Sequence, residues 1–316
     1  MHYAYPARKN SNPPPFKPRR SKMPSVRKNH IKLFGSIFLT IFALWYLFSG
    51  NSNASNRPKP RVVKGEPPVV VVTAFDSIGH SQTYLKNIEE NRLSYAKKNG
   101  YGTFFAKAGD YDLNGAPMSW TKVVAMRHAM AKYPEAKFFW YLDQNSMIMD
   151  PNVKPERDIL TNDKLDKTII RDHSIVPPDG IIKTFGHLRG EDIDLAITQD
   201  AKGVVDTSFV IRNGEWAKFF LDTWFDPLYR SYNFQRADTH ALEHIIQWHP
   251  TILSRLGLLP QRTINSYQHS ITGAQYQEGD FILTLNDCTA SGERSCNILA
   301  TPYVKKWRQK FGIKEA

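Results

Sequence analysis

From Val69 onward the chain switches between unbroken apolar runs and apolar residues set at helical intervals. "VVVVTAF" (Val69–Phe75) is a continuous, largely β-branched run between Pro67-Pro68 and Asp76. Continuous rather than alternating apolarity predicts a strand covered on both faces, as in a parallel sheet. In "YLKNIEENRLSYAKKNG" (Tyr84–Gly100), Leu85, Ile88, Leu93 and Ala96 fall near one helical face. Lys97 and Lys98 occupy the last turn of that predicted helix, and Gly100 can end it. "YGTFFAKA" predicts a second strand, "WTKVVAMRHAMAKYP" (Trp120–Pro134) a helix stopped by Pro134, and "KFFWYLD" a third strand. Strand–helix–strand–helix–strand describes a layered α/β sheet with right-handed crossovers.

A different run precedes this body. "LFGSIFLTIFALWYLFSG" (Leu33–Gly50) has no charged residue, and Trp45 and Tyr46 near its far end suit a membrane interface. At about 1.5 Å per residue, roughly 18–20 helical residues span a hydrocarbon core of about 30 Å. Arg8, Lys9, Lys17, Arg19, Arg20, Lys22, Arg27, Lys28 and Lys32 precede the run with no acid among them. A flank of this kind stays cytoplasmic, which predicts a single-pass type II anchor with the body on the far side. The alternative is a cleaved signal peptide. The long basic flank and the lack of a clean small-x-small site favour the anchor. The expected organisation is a basic, Pro-rich tail (1–32), the anchor (33–50), a lumenal stem (51–68) and a folded domain (69–316). The stem is polar and Pro-containing, and Asn53-Ala54-Ser55 is a glycosylation acceptor pattern within it.

Charge and cysteine content narrow the classes. Of a formal net charge of +12, the tail contributes nine, leaving +3 for the rest. The basic excess therefore belongs to the tail. With no basic, aromatic-interleaved face in the body, nucleic-acid binding is excluded. Cys288 and Cys296 both lie in the expected lumenal body, as a disulfide or as two buried thiols.

The candidate chemistry centres on "FFWYLDQNSMIMD" (Phe138–Asp150). In open α/β sheets, ligands collect at the carboxyl ends of the strands, where the strand order reverses. Asp143 ends an apolar strand, where a carboxylate is costly unless a cation, a helix terminus or a ligand compensates it. In extended chain Asp143 and Asn145 share a face, so both can reach a hard divalent cation held against phosphate oxygens. A plain turn-capping Asp is the alternative. His240 and His244 sit four apart, but without an H-E-x-x-H order they do not make a zinc motif. Phe219, Leu221 and Trp224 read as packing residues. Val176–Asp200 reads as a long connection, either an active-site loop or an ordinary surface loop. The sequence has no G-x-G-x-x-G, no P-loop and no internal repeat.

"FFWYLDQNSMIMDPN" resembles the D-x-D region of the Golgi galactosyl- and mannosyltransferases of glycosyltransferase family 34. Further blocks follow in that family's order: "SWTKVVAMRHAMAKYP", "TSFVIRNGEWAKFFLDTWFDP" (Thr207–Pro227), "ADTHALEHIIQWHP" (Ala237–Pro250), "PQRTINSY" and "GDFILTLNDC". The likeness runs from Val69 to about Trp307 and is nearest to the family's fungal α-1,6-mannosyltransferase branch. It implies a GT-A fold, a Rossmann-like mixed α/β sheet with helices on both faces, behind one transmembrane helix in the Golgi membrane. It also implies GDP-mannose as donor, Mn²⁺ as metal, a mannose-containing glycan acceptor, retention of anomeric configuration, and sister mannosyltransferase subunits as partners.

Carried over position by position, the resemblance makes Asp143 a metal or donor contact and puts Asn145 where a second acid usually stands. Asp238 becomes the catalytic acid facing the reacting sugar, and Lys122 a phosphate partner. Thr73 and Phe75 fall at the nucleotide base, and Arg212 and Asn213 on the acceptor side. Besides Asn145, three positions depart from the family, the first being Thr239 in place of the usual glutamine. Thr284 stands where a histidine or arginine is usual, and Asp287 where a glycine is usual. A neutral amide at Asn145 weakens attraction for a dication. The alternatives are a galactosyltransferase using UDP-galactose, a weakly catalytic scaffold subunit, and a membrane-anchored lectin.

Overall fold

The computed structural model describes residues 39, 66–176, 180–232, 234–269 and 272–313. The chain divides into two compact units, Met1–Lys59 and Pro60–Ala316, and apart from Leu39 the described residues belong to the second. The expected tail, nearly all of the expected anchor and the stem up to residue 65, Asn53 included, lie outside the described residues. Among the described residues no helix is long and apolar enough to cross a membrane.

The expected strands and helices form in the expected order. β1 (Val69–Phe75) leads through α1 (Gln82–Asn99) to β2 (Gly102–Lys107), then through α2 (Thr121–Lys132) to β3 (Phe138–Leu142). Val69 to Val72 are all fully buried, their side chains alternating between two separate cores. This is why the run is apolar at every position instead of every second one. Ser81 caps α1 through its side chain, and Gly100 closes the helix in the left-handed region at φ 72°.

β4 (Ser146–Ile148), β5 (Leu195–Asp200), β6 (Gly203–Arg212) and β7 (Leu256–Leu259) follow, and β8 (Ser266–Tyr267) and β9 (Ile282–Thr284) complete the strands. The main sheet has the order β2-β1-β3-β6-β5-β7, and β4-β9-β8 form a small second sheet. Within the main sheet only β6 runs against its neighbours. The segment expected to be all connection up to Asp200 therefore ends in a strand, β5, whose first four residues are buried. α2, α3 (Glu215–Trp224) and α4 (Ala237–Trp248) cover one face, and α1 and α5 (Cys296–Phe311) lie on the other side.

Pairing between β5 and β6 is irregular. Ala196 pairs with Val210 and Thr198 with Val205, so two steps along β5 match five along β6. This is a bulge-like interruption, which re-aims the side chains on one flank relative to the other. Cys288 and Cys296 form a disulfide that ties the chain after β9 to the start of α5.

Candidate active site

α1 supports the site from behind, through polar residues. Its buried face consists of Tyr84, Ile88, Asn91, Arg92, Tyr95 and Ala96, whereas Leu93, expected there, is 46% exposed. Asn91 brackets the backbone of Ile148, donating to its carbonyl and accepting from its N–H, both at 2.9 Å. The fully buried Arg92 donates to the carbonyl oxygens of Asp143 (2.8 Å) and Ser146 (2.7 Å) and to Asn91 Oδ1 (2.8 Å). Burial lowers the Arg92 pKa to about 10, so the guanidinium stays charged at neutral pH.

The loop held in this way is a tight turn. The backbone N–H of Asn145 donates to Asp143 Oδ1 at 2.9 Å, and that of Ser146 to the Asp143 carbonyl oxygen at 3.0 Å. The expectation that Asp143 and Asn145 share a face fails, because alternation holds only in extended chain. Asn145 turns toward α1, where the Tyr84 hydroxyl is shared between its Oδ1 (3.1 Å) and the Gln144 carbonyl oxygen (2.8 Å). Asp143 remains half-buried, with the Tyr141 hydroxyl 3.4 Å from its Oδ2. Burial raises the Asp143 pKa against the opposing pull of Lys122, the Asn145 N–H and Arg92.

Beneath this turn lies a buried charge cluster. Lys122 Nζ is 2.8 Å from Asp206 Oδ2 and 2.8 Å from Asp238 Oδ2, and 5.8 Å from the centre of the Tyr141 ring. The Thr239 hydroxyl donates to Asp206 Oδ2 at 3.0 Å, and the Trp224 indole N–H to the Asp238 carbonyl oxygen at 2.8 Å. Burial alone would push Lys122 down, but the two carboxylates outweigh it and hold the amine well above its ordinary value. Burial also acts on Asp206, but Lys122 and Thr239 overcome it and keep that carboxyl low, while Asp238 stays raised by burial. Two carboxyl groups thus share one ammonium.

These contacts correct several expectations. Lys122 is committed to carboxylates instead of facing a phosphate. Asp238 is 1% exposed and faces Lys122 instead of an open cleft. Thr73 is fully buried, its hydroxyl donating to the Leu142 carbonyl oxygen at 2.9 Å, so it presents nothing to a base. Phe75 does border open space. It lines a cavity of about 540 Å³ with Asp76, Leu85, Phe105, Lys107 and Asp110 at the carboxyl ends of β1 and β2. The cavity adjoins the Asp143 turn through Gln144 Oε1, which accepts from the Asp76 N–H at 2.9 Å.

Arg212 and Asn213 stand apart from the rest. Because β6 is antiparallel to β3, Arg212 pairs with Phe138, at the start of β3, and not with its end. Arg212 lies 3.6 Å from Asp194, and Asn213 donates to the carbonyl oxygens of Pro134 and Ala136, both at 2.8 Å. Both brace the far end of the sheet. Asp206, which enters the cluster in their place, was overlooked in the sequence. Its signal was a lone carboxylate inside "GVVDTSFVI", immediately before the block that resembles the family.

The residues around Asp143 do not by themselves make a site for a resident divalent cation. The turn supplies one carboxylate, and Asn145 Oδ1 is already engaged by Tyr84. Thr284 is 2% exposed, its hydroxyl donating to Asn265 Oδ1 and lying 2.8 Å from Ser146 Oγ.

Comparison with known proteins places this geometry. The galactosyl transferase GMA12/MNN10 family matches residues 65–295. An uncharacterized alpha-1,2-galactosyltransferase of Schizosaccharomyces pombe is 30% identical over 248 residues, 76% of this chain and 74% of that one. A probable alpha-1,6-mannosyltransferase, MNN10, of Saccharomyces cerevisiae is 33% identical over 277 residues, 78% of this chain and 69% of that one. A second S. pombe alpha-1,2-galactosyltransferase is 29% identical over 65% of this chain and 56% of its own. Galactosyl- and mannosyltransferases thus match at comparable identity, and the family model spans most of the chain. The protein is a hexosyltransferase belonging to the galactosyl transferase GMA12/MNN10 family.

Proposed function

We propose that the chain transfers mannose from GDP-mannose to an α-mannoside acceptor, forming α-1,6 links with retention of configuration, in a GT-A fold. The observation that carries this reading is the placement of Asp143. Its half-buried carboxylate sits at the carboxyl end of β3, fixed from behind by Arg92 and adjoining a cavity large enough for a nucleotide. In this reading Phe75 and Phe105, with ring centres 5.6 Å apart, offer apolar surface to the base. Asp143 faces the diphosphate end, and the Lys122–Asp206–Asp238 cluster sets the field under the sugar. The likeness to MNN10 supports mannose, and the uncharged Leu33–Gly50 run behind a basic tail supports a type II Golgi anchor with the body lumenal. Other mannosyltransferase subunits of a Golgi complex are the proposed partners. Mn²⁺ enters only together with the diphosphate.

Two observations favour a second reading, a weakly catalytic subunit working beside a more active one. The second acid of the motif is the amide Asn145, and Asp238 is shut away from solvent. UDP-galactose is the rival donor, favoured by the galactosyltransferases among the relatives. Calorimetry of the full chain with GDP-mannose and UDP-galactose, each with and without Mn²⁺, followed by transfer to α-mannose oligosaccharides, tests all three. GDP-mannose binding with transfer supports the first reading. Selective binding of UDP-galactose overturns its donor. Binding without transfer, restored by sister subunits, favours the scaffold.

A further inference from the structure

Helix α4 turns Ala241, Leu242, Ile245 and Ile246 into the core. On its outer face His240, His244 and Trp248 follow at intervals of four, which stacks their side chains in one row. Rings from the segment before α4 pack beside them. Between ring centres, Phe234 lies 6.4 Å from both His240 and His244, Tyr229 lies 5.5 Å from His244, and Trp248 lies 6.1 Å from His244. Tyr232 continues the row, 5.3 Å from Phe234. The row is not covered, since Tyr232 is 46% exposed and Trp248 70%. Nor is it loose. The Tyr229 hydroxyl lies 3.1 Å from His249 Nε2, and His240 Nε2 accepts from Arg236 Nε at 2.7 Å.

Six contiguous rings on a solvent-facing flank are more than scattered surface apolarity, and such a patch marks a contact site. Its chemistry selects the occupant. Burial lowers the pKa of both His240 and His244, helped by Arg236 and by His249 respectively, so both imidazoles are neutral at neutral pH. Arg236, at the head of the row, is committed to Glu243. The surface is therefore uncharged and suits an uncharged ligand. Within the described residues the Tyr232 hydroxyl, the Trp248 indole N–H and the His244 nitrogens make no hydrogen bond. Ring faces with polar groups at their rims match a chain of neutral hexoses, which offers C–H faces and hydroxyl edges. The negative face of each ring attracts the C–H groups.

The position of the row links it to the reaction. Asp238 and Thr239, in the first turn of α4, belong to the cluster with Lys122 and Asp206. The row starts beside them and leads away down the helix. At about 1.5 Å per residue, His240 to Trp248 covers about 12 Å, room for more than one sugar residue.

We propose that this aromatic row is a binding surface for the acceptor glycan, holding neutral hexose residues remote from the one that receives the transferred sugar. Trp248 and Tyr232 supply the open stacking faces. The inference rests on the glycan-acceptor part of the reading above and adds to it a preference for long acceptors. It does not depend on which donor is used.

The test is calorimetry of the full chain in detergent with α-1,6-linked mannobiose and mannohexaose, without donor or metal. The parent should bind the long oligosaccharide about tenfold or more tightly than the short one. In a Trp248→Ala, Tyr232→Ala double variant the two affinities should become equal. Trp248→Phe alone, which keeps an aromatic face, should retain most of the preference. Equal affinities in the parent overturn the inference, and so does a double variant that keeps the length preference. A double variant that alters only self-association or binding of a sister subunit also overturns it and makes the row a protein interface. None of these results touches the donor reading, which nucleotide binding decides separately. Both substitutions are at exposed positions, and a thermal melt confirms that the variants are folded.

Discussion

The Arg92 guanidinium on α1 donates to the backbone carbonyl oxygen of Asp143 at 2.8 Å. The helix thus holds the acid through its peptide, while the carboxylate accepts from the Asn145 N–H and meets the Tyr141 hydroxyl at 3.4 Å. The guanidinium also reaches the Ser146 carbonyl, so one buried cation spans both ends of the turn. Arg92→Met would remove a donor from both carbonyls, leaving the Asp143 oxygen only the Ser146 N–H. A loss of about 2–4 kcal/mol is expected, read by chemical denaturation. Arg92→Lys, with one compact ammonium, should recover only part of it.

Lys122→Met should be more damaging, by about 3–5 kcal/mol at neutral pH, because it leaves two buried carboxylates uncompensated. The pH dependence of the loss has a definite sign. In the parent, Lys122 holds Asp206 below the ordinary range, so its contribution is present at neutral pH and lost as pH falls through that low value. Without the lysine, burial raises both carboxyls, the folded state binds more protons than the unfolded one, and the variant gains stability as pH falls. Melting curves of parent and variant should therefore converge between neutral pH and about pH 5. A deficit that stays constant over that range would contradict this assignment.

Asp143→Asn separates function from stability. Burial raises the Asp143 pKa, so the ionised side chain costs the folded state stability above the ordinary carboxylate range. The amide should leave the melting temperature unchanged or higher, while transfer falls by about a hundredfold or more. The pair of measurements is the check.

Removing the Cys288–Cys296 bridge should cost about 2–3 kcal/mol, as expected for closing a short loop, and is measurable on a Cys288→Ser, Cys296→Ser double variant. The bridged segment also packs close to Gly79, next to the cavity-lining Ile78. A Cβ built on Gly79, at φ +76°, would lie 3.0 Å from the Ala290 Cβ. Nucleotide affinity of the reduced protein should therefore fall together with its stability.

Much of this fold could be read in the sequence because its strands are apolar at every position. Val69–Phe75 and Phe138–Leu142 are central strands buried on both faces, and short β-branched or aromatic runs of that length fit such strands. Asp143 was legible for the same reason, as a carboxylate ending such a run. Polar residues facing inward were not. Counting apolar positions on α1 selected Leu93, which is exposed, and passed over Asn91 and Arg92, which are buried because they bind backbone. Strand direction was also hidden. Nothing in "FVIRN" indicates that its end lies at the opposite edge of the sheet from Asp143, so Arg212 and Asn213 looked nearer than they are. The Cys pairing had no local signal beyond proximity in the chain.

The interruption between β5 and β6 decides which way a charge points. Asp206 faces the same helices as Phe209 and Ile211 although they lie three and five positions further along the strand, odd offsets that unbroken pleating would send to the opposite face. Were the ladder regular, the acid would aim into the opposite layer, among Trp140 and Phe281, and Lys122 would be left with Asp238 alone. A local defect in the weave is thus what gives the lysine its second counter-ion, and shortening the strand there by a single residue should unmake the charge balance without removing any charged group.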